Sequence, residues 1–195
     1  NLKFVPVADA SGTPYDSFNF LVSDAAVAAT ASSTMTINVD AVNDAPTSTN
    51  NTVTTDEDVT FTFSLEDFNY SDVEGDELAT VVITSLETVG ALQLNGVDVM
   101  ADQGISRADI EAGNLKYVPV ADENGTTYDS FQFKVNDGID DADAANTMTI
   151  NVDAVNDPVE ANGDSANVSK NGTVNIDVLD NDVDVDVNDT LTVTL

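Results

Sequence analysis

An internal repeat constrains the fold of this chain more than any other feature. The segment LKFVPVAD, which starts at Leu2, recurs as LKYVPVAD from Leu115. We call this displacement, which carries Leu2 onto Leu115, the repeat offset. Without gaps, about two-thirds of the residues that it aligns in the first piece are identical, including an unbroken TMTINVDAVND. Self-similarity at a fixed period is the signature of a repeat architecture.

The repeat divides the chain into three pieces. Residues 1–44 form the C-terminal half of one repeat, and residues 45–157 form one complete repeat. Residues 158–195 begin a third, more diverged repeat. Pro46 and Pro158 mark the joints, because Pro does not continue a strand ladder. We expect the chain to be a part of a longer protein.

Short segments alternate between apolar and polar residues, as half-buried strands do. Apolar side chains fall on every second position in the runs 61–65, 131–135 and 147–152. Further strands are predicted at Leu78–Ser85, Ala91–Leu94, Val97–Met100 and Leu115–Val118. Ser106, Asp109 and Gly113 predict one helical turn over 106–112, with a cap at its start and a stop at its end. About seven short strands in this length predict an all-β, immunoglobulin-like sandwich.

Composition excludes several function classes. The formal net charge is −31, with 36 acidic and 5 basic side chains. Such a chain repels nucleic acid and anionic membranes, and it has no apolar run long enough for direct membrane insertion. The absence of His, of a phosphate-binding loop and of a nucleophile elbow argues against an enzyme. No Cys is present, so a small extracellular domain of this kind needs a staple other than a disulfide.

Acidic clusters at predicted loops suggest that bound divalent cations stabilise the fold in place of disulfides. Alternate carboxylates in a loop, as at 72–76, converge on one point, and Ca²⁺ takes six to eight hard oxygen ligands. Without His or Cys, an oxygen-only site favours Ca²⁺ over zinc, copper or iron. The alternative is that these are solvated turns, which Asp, Asn and Gly favour in any case. The clusters of the complete repeat contain Asp56, Glu57, Asp58, Asp72, Glu74, Asp76, Asp137, Asp153, Asn156 and Asp157.

The joint Asp40-Ala41-Val42-Asn43-Asp44-Ala45-Pro46 resembles the interdomain calcium linker of cadherins, with a spacing that differs by one residue. The run from Leu115 through Tyr128-Asp129-Ser130-Phe131 to Asn136-Asp137-Gly138 resembles bacterial cadherin-like tandem repeats, including the VCBS-type repeats of giant RTX-type adhesins. The resemblance implies tandem Greek-key sandwiches joined end to end, with calcium at the junctions.

Carried over to this chain, the resemblance implies two ligand sets. The first joint would use Asp40, Asn43 and Asp44 with Glu57 and the loop Asp72, Glu74 and Asp76. The second joint would use Asp153, Asn156 and Asp157 with Asp184, Asp186 and Asp189. Lys170 stands where the repeat offset places Glu57, and an ammonium group does not ligate a cation. On this reading Lys170 argues against calcium at the second joint.

These features predict a calcium-stabilised extender, the stalk of a large adhesin at the bacterial cell surface, whose partners are the neighbouring repeats of the same chain. One alternative is a carbohydrate- or protein-binding module, which would need exposed aromatic side chains or an unusual loop. Another is a subunit of an extracellular filament or surface layer, formed by self-association through bare strand edges.

Overall fold

The computed structural model describes residues 2–24, 26–186 and 189–194. Residues 1, 25, 187, 188 and 195, which belong to the predicted first and third pieces, lie outside this part. Eleven strands are found in it, in the order β1 (Gly12–Phe20), β2 (Ser33–Val39), β3 (Asn51–Asp56), β4 (Phe61–Thr62), β5 (Thr80–Ser85), β6 (Ala91–Leu94), β7 (Val97–Asp98), β8 (Gln103–Ser106), β9 (Leu115–Val118), β10 (Gly125–Asn136) and β11 (Asn146–Asp153).

Strands β3 to β11 form a two-layer sandwich. One sheet has five strands in the order β3-β11-β10-β5-β8, and the other has four in the order β4-β9-β6-β7. All pairings are antiparallel except that of β3 with β11, which is parallel. Two packed sheets with crossover connections make an immunoglobulin-like sandwich. The predicted all-β class is therefore confirmed.

The core lies between the two sheets and is built by the alternating residues of the long strands. In β10, Phe131 and Phe133 are buried while Ser130 and Gln132 are exposed. The Phe131 ring meets Phe63 edge-on, with centroids 5.6 Å apart. Aromatic pairs in this arrangement add about 0.5–1.5 kcal/mol beyond the apolar area they bury.

Local details differ from the sequence prediction in a few places. The strand predicted over 61–65 ends at Thr62, and residues Leu65–Phe68 form a 3₁₀ turn, since Ser64 and Asp67 make a reciprocal capping box at its start. The strand predicted over Val97–Met100 ends at Asp98. The predicted helical turn is confirmed as α1 (Arg107–Glu111), whose cap Ser106 accepts a hydrogen bond from Asp109 N.

The first piece repeats the final hairpin of the sandwich. Strands β1 and β2 pair with Phe18 opposite Met35, as β10 and β11 pair with Phe131 opposite Met148. Both hairpins carry a register shift at the same place, after Gly12 and after Gly125. Matching sequence at the repeat offset therefore yields the same local structure.

The third piece is mostly irregular. Its described residues form no strand, and one pair of backbone hydrogen bonds joins Glu160 and Val183. Most of its side chains are exposed.

The buried carboxylate of Asp129 holds the 87–90 loop against strands β9 and β10 through hydrogen bonds. Asp129, on β10, is 5 % exposed and accepts hydrogen bonds from Thr88 N at 3.0 Å and Val89 N at 3.1 Å. The Tyr117 hydroxyl lies 2.9 Å from both an Asp129 carboxylate oxygen and Val89 O. Desolvation of the phenol, followed by the Asp129 hydrogen bond and charge, raises the pKa of Tyr117 well above its usual range. This network ties the 87–90 loop to β9 and β10.

Candidate metal centres at the repeat joints

The sandwich presents its acidic residues at two opposite ends. Strands β3 and β11 run side by side and both end at the second joint, which we define as residues 153–158. Strand β10 runs the other way and ends at Asn136, beside the first joint, residues 40–46. A strand rises about 3.3 Å per residue, so β3 carries the chain roughly 20 Å from one joint towards the other.

Glu57 follows β3 directly and is held at the second joint. It is 3 % exposed, and its carboxylate accepts hydrogen bonds from Val155 N at 2.7 Å and the Asn124 amide at 3.0 Å. Its backbone N–H donates to Asp153 O at 2.9 Å. The Asn124 and Val155 hydrogen bonds stabilise the ionised form and lower the pKa of Glu57. Glu57 is therefore a fixed negative charge in the joint.

Other carboxylates surround Glu57. Oxygen atoms of Glu57, Asp157 and Asp186 lie within 4.8 Å of one another. The same holds for Asp58, Asp122 and Asp157, and for Asp184, Asp186 and Asp189. Most members of these groups line one cleft of about 280 Å³, whose polar residues are Glu57, Asp122, Asn124, Asp157, Asp186 and Asp189.

The crowding at the second joint has an electrostatic consequence. Desolvation raises the pKa of Asp157, and the nearby charges of Asp122, Asp58, Asp186 and Glu57 raise it further. Among the described residues, the ion pairs formed are those of Arg107 with Glu77 and with Glu111, so no basic side chain neutralises the joint. The arrangement lacks a counter-charge where carboxylate oxygens converge.

At the first joint, the linker contacts acidic loops of the complete repeat, which follows it. The Asn43 amide nitrogen donates to the carboxylates of Asp137 at 3.0 Å and Asp140 at 3.1 Å. Asp44 N donates to Glu74 at 3.2 Å, and Asp76 N donates to Asp72 at 3.0 Å. Linker, 72–76 loop and 137–140 loop therefore meet at one point.

Two acceptor atoms at the first joint have no partner. Asn43 Oδ1 and Asp72 Oδ2 are both buried, and the structure gives neither a hydrogen bond. A buried acceptor without a donor costs about 1–3 kcal/mol. Burial, with the charges of Asp72, Asp137 and Asp76, also raises the pKa of the neighbouring Tyr70 to about 12. The unpaired acceptors and the raised pKa of Tyr70 both indicate that the oxygen atoms at the first joint lack a positively charged partner.

The two joints share their linker and one acid of the preceding repeat at the repeat offset. A cleft of about 900 Å³ at the first joint is lined by Asp9, Asp44 and Glu74 among others. Asp9 and Asp44 match Asp122 and Asp157 of the second cleft. Glu74 accepts from Asp44 N as Asp186 accepts from Asp157 N at 2.7 Å. The linker residues are therefore the same at both joints, but the acidic residues that the following repeat contributes differ.

The ligand set predicted for the first joint is wrong in one member. Glu57 lies at the second joint, because β3 carries the chain across the sandwich before Glu57 is reached. From the repeat offset we expect Lys170, the counterpart of Glu57, to lie at the far end of its own repeat. Lys170 is exposed and does not argue against a cation at the second joint.

The remaining predicted residues fall into two groups. Asp58, Asp184, Asp186 and Asp189 lie at the second joint, as do Asp157 and Asn156, whose amide donates to Asp157 O. In the described part of the chain, the carboxylates of Asp40, Asp56 and Asp153 are exposed and join no cluster.

Sequence reasoning missed two residues at the second joint. Asp122 joins a carboxylate cluster, and Asn124 donates a hydrogen bond to Glu57. At the first joint Asp140, which follows the predicted Asp137 in the same acidic cluster, accepts a hydrogen bond from Asn43. A signal for Asp122 exists, since the segment Val-Pro-Val-Ala-Asp ends identically at Asp9 and Asp122, both with positive φ.

Comparison with known families identifies the sandwich. The family model described as Bacterial Ig domain matches residues 43–153, more than half of the chain. The chain belongs to the bacterial Ig domain family. No curated protein and no solved structure matches it.

The match agrees with the architecture of strands β3 to β11, which the bacterial Ig model spans. A bacterial Ig domain is a structural repeat domain, commonly extracellular or surface-associated. In the described residues, none of the helices is long and apolar enough to cross a membrane. Where one repeat ends and the next begins stays a prediction from the repeat offset.

Proposed function

We propose that this bacterial Ig chain is a run of extender repeats in the stalk of a large bacterial cell-surface adhesin, and that Ca²⁺ binds at its joints. Within the family, we place it with the cadherin-like, VCBS-type repeats. The observation that carries the proposal is the convergence of carboxylates from the linker and both flanking pieces at the second joint. At the first joint, Asn43 and Asp44 of the linker contact Asp137 and Glu74 of the complete repeat.

The chemistry of the joints favours a hard divalent cation. Their side-chain donors are carboxylate and amide oxygens, which suit Ca²⁺ with its six to eight flexible ligands. At the first joint, Asn43 of the linker would bind an ion together with Asp72, Glu74 and Asp137 of the complete repeat. At the second joint, Asp157 of the linker would bind an ion together with Glu57 and Asp122 of the complete repeat and Asp186 of the third piece. The unpaired oxygens of Asn43 and Asp72 support this assignment.

The mechanical role follows from where the ions would lie. In the proposed tandem array each joint would be a short peptide between two sandwiches, and its acids would repel one another when no cation is present. An ion shared by the linker and both flanking repeats would remove hinge freedom and hold the repeats in line. A stalk with this property keeps a distal binding domain away from the cell surface.

We assign no catalysis to the chain. It has no His, and its clustered acids lie in the clefts at the repeat joints. Nucleic acid is not a proposed partner, because a polyanion meets a surface of the same sign.

A thermal melt tests the calcium proposal. The chain is unfolded in excess EDTA, in millimolar Ca²⁺ and in millimolar Mg²⁺, followed by circular dichroism. Binding to the folded state alone stabilises it by about 2.7 kcal/mol at a free ion concentration 100 times Kd. We expect a calcium-selective rise in Tm that is reduced by Asp157→Ala, with Asp98→Ala on β7, outside both joints, as the matched control. Equal Tm values in EDTA and Ca²⁺ would refute the proposal.

A further inference from the structure

The first and last strands of the complete repeat lie side by side. Strand β3 is at the edge of the five-stranded sheet, so β11 is its neighbour in that sheet. The two strands pair in parallel without a register shift, from Asn51 opposite Met148 to Asp56 opposite Asp153. The other strand pairs of the sandwich in the described part of the chain are antiparallel.

The parallel pairing determines how the repeat responds to tension between its joints. Strand β3 follows the first joint, and β11 ends at the second joint. Pulling the joints apart draws the start of β3 one way along the strand axis and the end of β11 the other way. The ladder hydrogen bonds run between the strands, so they are loaded in shear. A ladder in shear shares the load among all of its bonds, whereas a peeled ladder loses them one at a time.

Side-chain hydrogen bonds extend this attachment at the start of the two strands. The Asn146 amide nitrogen donates to Ser48 Oγ at 2.6 Å, and Thr147 N donates to Asn50 Oδ1 at 2.8 Å. Both bonds join residues just before β3 to the first residues of β11. They therefore lengthen the contact beyond the ladder at the end on which the first joint pulls.

Glu57 extends the attachment at the other end. Its backbone N–H donates to Asp153 O at 2.9 Å, and its carboxylate accepts from Val155 N at 2.7 Å. The Glu57 side chain is 3 % exposed. Hydrogen bonds to an ionised group are roughly twice as strong as neutral ones. Glu57 thus locks the end of β3 to the residue through which the second joint pulls on β11.

The inward side chains of β3 prevent the strand from sliding. Val53 and Thr55 are 6 % and 8 % exposed, and the Thr55 hydroxyl donates to Val59 O at 2.9 Å. A slip of β3 by one residue would turn these side chains to the opposite face of the sheet. Movement along the strand axis therefore requires the ladder to break and the core contacts of β3 to be lost together.

We propose that the β3–β11 ladder, with the side-chain bonds at both of its ends, is a mechanical clamp that resists unfolding when the two joints are pulled apart. Its use in the cell rests on the proposed function, since a stalk that holds a distal domain is under tension. The clamp itself consists of contacts within one repeat and needs no ion. It is therefore a property separate from the calcium stiffening of the joints.

The signature of the clamp is a dependence on pulling direction. Forced unfolding is governed by the unfolding rate along the pulled direction and not by the equilibrium free energy. The same sandwich, with one Tm, should therefore withstand a high force when β3 and β11 are sheared. It should open at a low force when the two strands are peeled apart from one end.

Two double-cysteine variants of the full chain test this in optical tweezers, since the chain has no Cys of its own. Both carry Thr49→Cys, just before β3. The shear variant adds Val155→Cys, beyond the end of β11, and the peel variant adds Ala145→Cys, just before its start. All three side chains are exposed. The two variants thus load the same ladder and differ only in direction.

We expect the shear variant to unfold in EDTA at a force several times that of the peel variant. Each should lengthen by roughly 300–400 Å, the extended length of the chain between its handles. Equal forces, or a stronger peel variant, would overturn the proposal. Thermal melts of both variants without handles should match the parent chain and serve as the folding check.

A substitution within the shear variant makes the test specific to the clamp. Asn146→Ala removes the bond to Ser48 and should lower the shear force. Asn114→Ala is the matched control, because it removes one side-chain bond, to Asp109 at 3.2 Å, away from β3 and β11. It should leave the shear force unchanged. A loss of force in Asn114→Ala equal to that in Asn146→Ala would refute the assignment of the clamp to β3 and β11.

Repeating both pulls in Ca²⁺ separates the clamp from the calcium proposal. The direction dependence should be present in EDTA and should persist in Ca²⁺. A direction dependence seen only in Ca²⁺ would assign the resistance to the joints and overturn the clamp. A chain whose forces and Tm ignore Ca²⁺ but keep the direction dependence would support the clamp and refute the calcium proposal alone.

Discussion

Replacing Asp129 by Ala tests the reasoning about the buried network. In the folded repeat this carboxylate accepts hydrogen bonds from Thr88 N, Val89 N, Ser130 N and the hydroxyls of Thr88 and Tyr117. Ala removes every acceptor. The Tyr117 hydroxyl retains Val89 O at 2.9 Å, and so the groups left without a partner are chiefly the two N–H groups of the 87–90 loop.

The magnitude follows from those two donors. An unsatisfied buried donor costs about 1–3 kcal/mol, and these two donors are only partly buried, so each should cost towards the lower end of that range. The variant should therefore lose about 2–4 kcal/mol of unfolding free energy. Tyr117→Phe removes a single hydrogen-bonding group and should lose about 0.5–1.5 kcal/mol. The double variant should lose less than the sum, because the two residues share one hydrogen bond.

The chain contains a matched control for this substitution. Asp16 occupies the position of Asp129 in the first piece, but it is exposed and its carboxylate accepts only from Ser17 N among the described residues. Asp16→Ala should change the unfolding free energy by less than about 0.5 kcal/mol. Urea unfolding followed by circular dichroism gives all four values. If Asp129→Ala falls within the range of Asp16→Ala, the network does not fasten the loop.

Asp157→Asn should raise Tm in EDTA and reduce the response to Ca²⁺. Because the folded pKa of Asp157 is raised, its charge destabilises the fold above that pKa, and the advantage of Asn should shrink as pH falls through it. Melts in EDTA at several pH values check this, and an Asn variant no more stable than the parent at pH 7 contradicts it. Gly90→Ala places a Cβ 2.6 Å from Val118 O and the Tyr117 hydroxyl, at a φ of +63°. It should therefore destabilise the repeat by more than about 2 kcal/mol in urea, and a loss below about 1 kcal/mol would contradict this. Lys170→Glu should leave calcium affinity unchanged in isothermal titration calorimetry, since Lys170 belongs to the far end of its repeat; a large gain would restore the rejected assignment.

The sequence predicted the elements whose burial alternates cleanly. Strands β9, β10 and β11 carry buried apolar residues at every second position, and α1 carries its cap and its stop. Strand β3 was missed because Asn51–Asp56 contains one apolar inward residue, Val53, and its strand conformation depends on parallel pairing with β11. Strand β8 was missed since Gly104 interrupts its pattern.

The acidic residues were predicted better than their grouping. Glu57 follows Asp44 closely in sequence, and that nearness suggested a shared joint. Only the direction of β3 places Glu57 with Val155 and Asp157 at the opposite end. Asp122 and Asn124 were missed because the run Asp122-Glu123-Asn124 is distant in sequence from the linker and from Glu57. The turn before β10 brings it to the cluster.

The central claim, that Ca²⁺ stiffens the joints, is tested most directly by the distance between two spin labels across the first joint. The chain has no Cys, so labels at Ser17→Cys and Ser85→Cys report without interference. Both side chains are exposed. Samples are diluted with unlabelled protein and measured by pulsed dipolar spectroscopy in EDTA, Ca²⁺ and Mg²⁺. The account predicts a broad distance distribution in EDTA that narrows in Ca²⁺. Equal widths in EDTA and Ca²⁺ would contradict it.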